Sequence, residues 1–157
     1  MSSTKVRLEP QPEGRIRVYL AGAIDESSDF GQLFAQLGQS TRVVMDLSGV
    51  ERVNSMGVNR WINAFTKLSS RAEVEACSYV VALQAGCVAN FFGEAAVRST
   101  LAPYYCGGCR DTQMVLVTAE EIRAAGGVPA KTCPLCQGKM TFDEIDTYFS
   151  FLCPREQ

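Results

Sequence analysis

Histidine is absent from this 157-residue chain. Its absence removes the commonest general acid and base near neutral pH, and it excludes Ser-His and Cys-His nucleophile pairs. No apolar run approaches the roughly 20 residues that span a bilayer, and the amino-terminal stretch does not resemble a signal peptide. A formal net charge of −2 gives no basic excess for nucleic acid or an anionic membrane. We therefore expect a cytoplasmic protein without catalytic residues.

The remaining composition is ordinary for a soluble globular protein, with 46% hydrophobic and 20% charged residues. Alternating apolar residues, helical spacings and turn residues define a sequence of short elements. Their order, two strands followed by alternating helices and strands, predicts an α/β fold with helices packed on a mixed sheet. The predicted strands cover 5–9, 15–22, 42–49, 73–77 and 97–103, and the predicted helices lie around 30–37, 56–68 and 79–92.

One predicted helix, 56–68, carries a core-forming stripe along one face. Its apolar residues recur at the i, i+3, i+4 and i+7 positions expected of a helix packed on a sheet. Trp61 and Phe65 are therefore interpreted as core residues, not as part of a ligand site. The apolar face consists of Val58, Trp61, Ile62, Phe65 and Leu68, and the polar face holds Asn59, Arg60, Asn63 and Lys67.

Seven cysteines are present, and four of them follow the spacing C-x2-C-x23-C-x2-C. Two such pairs can direct backbone amides at thiolate sulfurs while the four sulfurs close a tetrahedron around Zn²⁺. Four thiolates leave no open position for a catalytic water, so the spacing predicts a structural zinc site. Unmetallated thiols and two redox-active pairs remain the alternatives. The predicted metal ligands are Cys106, Cys109, Cys133 and Cys136.

After Pro103 the sequence changes to paired cysteines and short polar turns. This change predicts two parts, a domain over 1–103 and a zinc-ribbon-like segment over 104–157. Between the cysteine pairs we predict a strand and then a helix. Thr118 and Glu121 form a capping box for that helix, and Gly126-Gly127 ends it. Cys77 and Cys87 are expected to be buried small hydrophobes, whereas Cys153 has no predicted role.

A C-terminal helix beginning at Asp143 is predicted from the spacing of apolar residues in the tail. We expect its apolar face to pack within the chain, and packing against a second copy of the protein, as a homodimer, is the alternative. Phe151 falls outside that face and is predicted to be an exposed anchor. The face consists of Phe142, Ile145, Tyr148, Phe149 and Leu152.

Three motifs resemble the STAS domain of sulphate transporters and anti-sigma-factor antagonists. They are "GAID" with Asp25, "DLSGV" over 46–50, and "NSMG" with Ser55, and they occur in the order and at the separations typical of that family. The resemblance implies a STAS-like domain. It also implies that Ser55 is phosphorylated by a partner that is both kinase and anti-sigma factor, with Asp25 and 46–49 lining the same docking end.

The chain departs from the family pattern at Asn54, where the family has aspartate before the serine. Asparagine still caps a helix, so we expect the fold to be retained. Phosphorylation of Ser55 and a permanently unmodified docking protein both remain open. Ser55 is not expected to be a hydrolase nucleophile, because the chain lacks histidine and "NSMG" is not a G-x-S-x-G elbow. The predicted partner-binding residues are Asp25, Asn54, Ser55, Met56, Gly57, Asn59, Arg60 and Asn63.

The expected function is a non-enzymatic switch or adaptor in bacterial signalling, binding a GHKL-type kinase/anti-sigma factor or another signalling protein. One alternative is a STAS-type subunit of a membrane transport complex, which needs no phosphoserine. Another is a nucleic-acid-binding zinc ribbon. From Tyr104 onward, however, five basic residues stand against seven acidic ones, whereas a phosphate-binding surface requires a basic cluster.

Overall fold

The computed structural model describes residues 4–37 and 42–152, and its first sheet contains five strands in the order β1-β2-β3-β4-β5. The first two strands form an antiparallel hairpin, as predicted from their alternating side chains, and the other neighbouring pairs are parallel. The sheet is therefore mixed. Its strands are β1 (Thr4–Gln11), β2 (Arg15–Ile24), β3 (Arg42–Val53), β4 (Ala72–Glu75) and β5 (Ala96–Val97).

Four α-helices accompany the sheets in the described residues, which confirms the predicted α/β class. Among the described helices, none is long and apolar enough to cross a membrane. Each helix begins at a polar residue whose side chain accepts a hydrogen bond from the first turn, as sequence preferences for capping predict. The helices are α1 (Phe30–Ala35), α2 (Ser55–Phe65), α3 (Tyr79–Cys87) and α4 (Ala119–Ala125).

A cluster of aromatic side chains between α1, α2 and the turn after α3 forms the centre of the core. Trp61 is fully buried, stacks on Phe65 at a centroid distance of 4.6 Å and meets the edge of Phe30 at 5.3 Å. Its indole Nε1 donates a 2.8 Å hydrogen bond to the carbonyl of Phe91, so its one polar atom is satisfied. The prediction that Trp61 and Phe65 are core residues is confirmed.

A second, antiparallel sheet follows, with strand order β7-β6-β8. Strand β6 is continuous across position 103, where the sequence predicts a boundary, and the division into two domains stays a prediction. The same strand is tied to the first sheet, because Leu101 N donates to Cys77 O at 2.8 Å and Thr100 bridges Cys77. The strands are β6 (Ser99–Cys106), β7 (Asp111–Thr118) and β8 (Met140–Phe142).

The C-terminal tail differs from the predicted helix. Up to residue 152, where the described part of the chain ends, it forms a 3₁₀ helix, Asp146–Phe149, preceded by extended backbone at Ile145. The chain enters the tail in extended form, because Met140–Phe142 pair with β6, Asp143 N donates to Pro103 O at 3.0 Å and the hydroxyl of Tyr79 donates to the carboxylate of Glu144. Ile145, predicted to be on the packed face, is therefore 69% exposed.

Three further sequence expectations for side-chain exposure and strand length need correction. Phe151, the predicted exposed anchor, is half-buried with its ring centroid 6.3 Å from that of Phe92. Cys87 is exposed instead of buried, whereas Cys77 is buried as predicted, and Cys153 lies outside the described residues. The third buried strand does not end at residue 49, because β3 continues to Val53.

The first turn of α2 lies directly against the end of β2, and Gly57 makes this contact. A β-carbon at position 57 would overlap the carbonyl group of Ile24 and the backbone nitrogen of Asp25. These are backbone atoms and cannot rotate away as a side chain would. The close packing of α2 against the end of β2 therefore requires glycine at this position.

We expect Gly57→Ala to lower the free energy of unfolding by about 1–3 kcal/mol, because overpacking outweighs the better helix propensity of alanine. Urea denaturation measures the change. Gly86→Ala is the matched control within α3, where a β-carbon meets no atom within 4 Å. The control should gain about 0.5–1 kcal/mol. Equal stability of the two variants would contradict the close contact of Gly57 with the backbone of Ile24 and Asp25.

Candidate metal centre and docking surface

Four cysteine side chains converge beside the second sheet. Cys106 ends β6 and Cys109 lies in the turn to β7, while Cys133 and Cys136 lie in a small loop closed by the Thr132–Lys139 bridge. Their four Sγ atoms all lie within 4.8 Å of one another. The four cysteines predicted to be ligands are thus brought together in one cluster.

The sulfur separations in this cluster fit a metal site and not disulfides. Cys106 Sγ and Cys136 Sγ are 3.4 Å apart, and Cys109 Sγ and Cys133 Sγ are 3.8 Å apart. Four thiolates at the usual Zn–S distance of about 2.3 Å have sulfurs about 3.8 Å apart. All four are free thiols. The cluster could therefore hold a metal ion in a tetrahedral all-sulfur shell.

Both cysteine pairs adopt the same turn. The residue after each pair has a left-handed backbone, with φ 53° at Arg110 and φ 64° at Gln137. In the first turn the backbone N–H of Cys109 donates to Cys106 Sγ at 3.4 Å. A β-carbon at Gly108 would lie only 3.1 Å from Cys136 Sγ. The absence of a side chain at Gly108 thus leaves room for Cys136 Sγ of the second turn to approach the first turn.

Hydrogen bonds make the thiol of Cys133 more acidic than that of Cys109. The backbone N–H groups of Cys136 and Leu135 lower the pKa of Cys133 to about 6, and Gln113 Nε2 adds a hydrogen bond of 3.4 Å. Side-chain hydrogen bonds from the other three cysteines, Cys136 foremost, raise the pKa of Cys109 to about 12. Four neighbouring sulfurs resist simultaneous ionisation, and a bound divalent cation would replace their protons.

The segment between the cysteine pairs is packed on the second sheet. The capping box predicted for α4 is present, with Glu121 N donating to Thr118 Oγ1 at 3.1 Å and Thr118 N donating to Glu121 Oε2 at 2.9 Å. Lys131 Nζ then binds Glu121 Oε1 at 2.7 Å, and Tyr104 Oη donates to the carbonyl of Pro129 at 2.8 Å. These contacts hold the chain so that the second cysteine pair lies close to the first.

The docking residues implied by the family resemblance gather at the carboxyl ends of β2 and β3. Asn54 N donates to Ile24 O at 3.0 Å, and the Asn54 side chain caps α2 by accepting from Gly57 N at 2.8 Å. Ser55 is the first helical residue and is exposed, as is Met56 at 59%. Asn54, and not Ser55, is therefore the residue that caps α2.

The polar face of α2 continues this surface. Asn59, Arg60 and Asn63 are all exposed, and Arg60 Nη1 donates to Ser28 O at 3.4 Å. Ser28 N in turn donates to Asp25 O at 3.1 Å, so α2 is tied to the turn at Asp25. The predicted partner-binding residues accordingly lie around this one end of the sheet, although Gly57 is buried.

Sequence reasoning missed two parts of this end of the sheet. Glu26 is one, because its Oε2 accepts a 2.7 Å hydrogen bond from Asn54 Nδ2. The other is α3, whose Val80 and Leu83 line a groove of about 460 Å³ that also borders Asp25 and Asn54. No sequence motif predicts the Glu26–Asn54 hydrogen bond or the groove beside α3. Both form because residues that are far apart in the sequence meet at the same end of the sheet.

Asp46, implied by the resemblance to line the docking end, lies within β3, seven residues before its end at Val53. Its Oδ1 accepts from Ser48 N at 3.0 Å, and its Oδ2 lies 3.4 Å from the guanidinium of Arg17. Arg17 also binds Glu75 at 2.7 Å, and this hydrogen bond raises the pKa of the guanidinium above its ordinary value. Asp46 thus forms part of an ion-paired ladder across three strands.

Comparison with protein-family models and with curated proteins finds no match to this chain.

Metal analysis should find about one zinc ion per chain, since four thiolates complete a tetrahedral shell. Cys106→Ser should lose this ion and lower the melting temperature by at least about 10 °C, because metal binding adds to folding free energy and each kcal/mol shifts the midpoint of such a chain by about 2–4 °C. Cys87→Ser is the control, as Cys87 lies outside the cluster. Full zinc content in Cys106→Ser would exclude the proposed ligand set.

Asn54→Asp should destabilise the domain at neutral pH, because it sets a second carboxylate against Glu26. The hydrogen bond from Asn54 lowers the pKa of Glu26 in the folded protein. The stabilisation that this bond gives is therefore present above the pKa of Glu26 in the unfolded chain and is lost as pH falls through its pKa in the folded protein. Thermal melts from pH 7 to pH 3 should show the defect disappear on acidification. Adding Glu26→Gln should also remove it; a defect unchanged in the double variant would show that the two side chains do not interact.

Proposed function

We propose that this protein is a non-enzymatic interaction switch or adaptor in bacterial signalling, built on a STAS-like domain. It docks a kinase or anti-sigma-type protein through the loop at Ser55. The single observation that carries the proposal is the placement of Ser55, exposed at the first position of α2 and beside the turn at Asp25. The mixed sheet, with a leading hairpin and then parallel strands, is compatible with this reading.

Phosphate chemistry at Ser55 gives the switch a physical basis. The start of α2 carries unpaired N–H groups and a partial positive charge, which tolerate a phosphate on the first residue. The added charge of about −1.5 to −2 would nonetheless disrupt a docked interface by repulsion and desolvation. Asp25 and Glu26 lie at this corner together with Arg52 and Arg60, so the phosphate would add negative charge to a surface of mixed charge. A docking protein whose Ser55 is never modified is the alternative within the same proposal.

The metal centre has a structural role in this proposal. A Zn²⁺ ion on the four cysteines would hold the second sheet together and supply no chemistry of its own, because its shell is complete. Strand β6 carries Cys106 at one end and bonds Cys77 near the other. The zinc-ribbon-like segment therefore docks on its own chain and stiffens the α3 side of the groove.

The test compares wild type, Ser55→Ala and Ser55→Asp as zinc-loaded baits in a native-host lysate, with captured proteins identified by mass spectrometry. We expect wild type and Ser55→Ala to capture a GHKL-type kinase or related signalling protein and Ser55→Asp to lose it. Ser70→Asp is the matched control, since Ser70 is also exposed but precedes β4 at the opposite end of the sheet.

The same experiment separates the other functions. Equal recovery of the kinase by Ser55→Asp and wild type would show that the docking surface lies elsewhere. Capture of a membrane transport ATPase by all baits would favour the transport subunit. Recovery of nucleic acid that falls as salt rises would favour the nucleic-acid-binding ribbon, against the acidic balance of the segment.

A further inference from the structure

The four edges of the two sheets, as formed by the described residues, differ in how they are protected against pairing with another chain. Strand β1 is an edge strand of eight residues, but it carries Lys5, Arg7, Glu9 and Pro10. Strands β5 and β8 are edges of only two and three residues. Charged residues, proline and short length are the usual means of blocking such pairing. These three edges are therefore protected.

Strand β7 is the exception. It is an edge strand of eight residues, "DTQMVLVT", in which Asp111 at the first position is the one charged side chain. Its sequence contains no proline or lysine. Met114 and Leu116 are 49% and 48% exposed, and Tyr105 on the neighbouring strand is 41% exposed on the same face. A long, apolar edge whose single charged side chain lies at the first position favours pairing with another strand.

The hydrogen bonds of β6 show which backbone groups of β7 are available. Leu101 N donates to Cys77 O, and Pro103 O accepts from Asp143 N, so both residues direct their backbone groups away from β7. Because these directions alternate along a strand, the intervening residues of β6 form the bonds to β7. In the antiparallel register, the N–H and C=O groups of Thr112, Met114 and Leu116 then face outward along the free edge.

These groups have a self-complementary arrangement. An antiparallel copy of β7 centred on Met114 pairs Thr112 with Leu116 of the other copy and Met114 with itself, and all three outward residues can exchange hydrogen bonds. The two Asp111 side chains are then separated by six residue steps, about 20 Å, so no like charges face each other. The exposed Met114 and Leu116 side chains of both copies would form one apolar stripe.

We propose that a second copy of this chain binds the free edge of β7, joining the two second sheets into one six-stranded sheet about a twofold axis at Met114. The occupant is a second copy because the twofold register lets the three outward residues of one β7 exchange hydrogen bonds with the same three residues of the other and leaves no like charges opposed. This inference is independent of the proposed function, since β7 lies outside the docking residues at the start of α2.

Sedimentation velocity on the zinc-loaded full chain tests the proposal. Wild type should sediment with the mass of two chains. Met114→Lys should weaken the dimer at least about tenfold, because two lysines then face each other directly across the axis. Ile145→Lys, which also places a charge on an exposed apolar residue, should remain dimeric. Zinc content and thermal melts of each variant show that it is folded.

A charge-swap rescue tests the register. Met114→Glu alone should weaken the dimer as Met114→Lys does, whereas an equimolar mixture of the two variants should regain the dimer at the wild-type concentration, because opposite charges then face each other. A monomeric wild type, or a Met114→Lys variant that stays dimeric, would overturn the proposed interface. Failure of the mixture to reassociate would overturn the twofold register at Met114.

Discussion

The attachment of β6 to the end of β4 is the constraint on which the rest of the structure depends. Cys77 N donates to Ser99 O at 3.3 Å and Leu101 N donates to Cys77 O at 2.8 Å, so the strand is held from both directions at a fully buried position. Buried backbone groups must find partners, and here each sheet supplies them for the other. The same strand is thus attached to the end of β4 at Leu101 and, five residues later, ends at Cys106 of the candidate metal centre.

This shared strand places the two candidate sites within one connected structure. Ser78, immediately after Cys77, caps α3, whose Val80 and Leu83 line the groove beside the docking residues. The tail adds a second link, since Tyr148 Oη donates to Leu101 O at 2.7 Å and its ring stacks on Tyr79 at the start of α3. The start of α3 and the middle of β6 are therefore joined by side-chain contacts as well as by the chain itself.

Sequence patterns predicted those features that depend on local chemistry. The hairpin follows from side-chain alternation around Pro-Glu-Gly, and the starts of α2, α3 and α4 follow from the capping residues Asn54, Ser78 and Thr118. The meeting of the four cysteines also followed from their spacing. Long-range contacts decided the features that were missed. Glu144 accepts a hydrogen bond from Tyr79, 65 positions away, in the extended chain where a helix was predicted, and Glu26 accepts one from Asn54, which follows a different strand.

The 23-residue spacer between the cysteine pairs has a consequence for the unfolded chain. A metal ion on all four sulfurs acts as a cross-link, and closing a loop of this length costs an unfolded chain roughly 3 kcal/mol of conformational entropy beyond a constant. In the native protein α4 and the Lys131–Glu121 ion pair have already brought the loop ends together. The same contacts that stabilise the fold therefore lower the entropic cost of a metal-ion cross-link at the four cysteines.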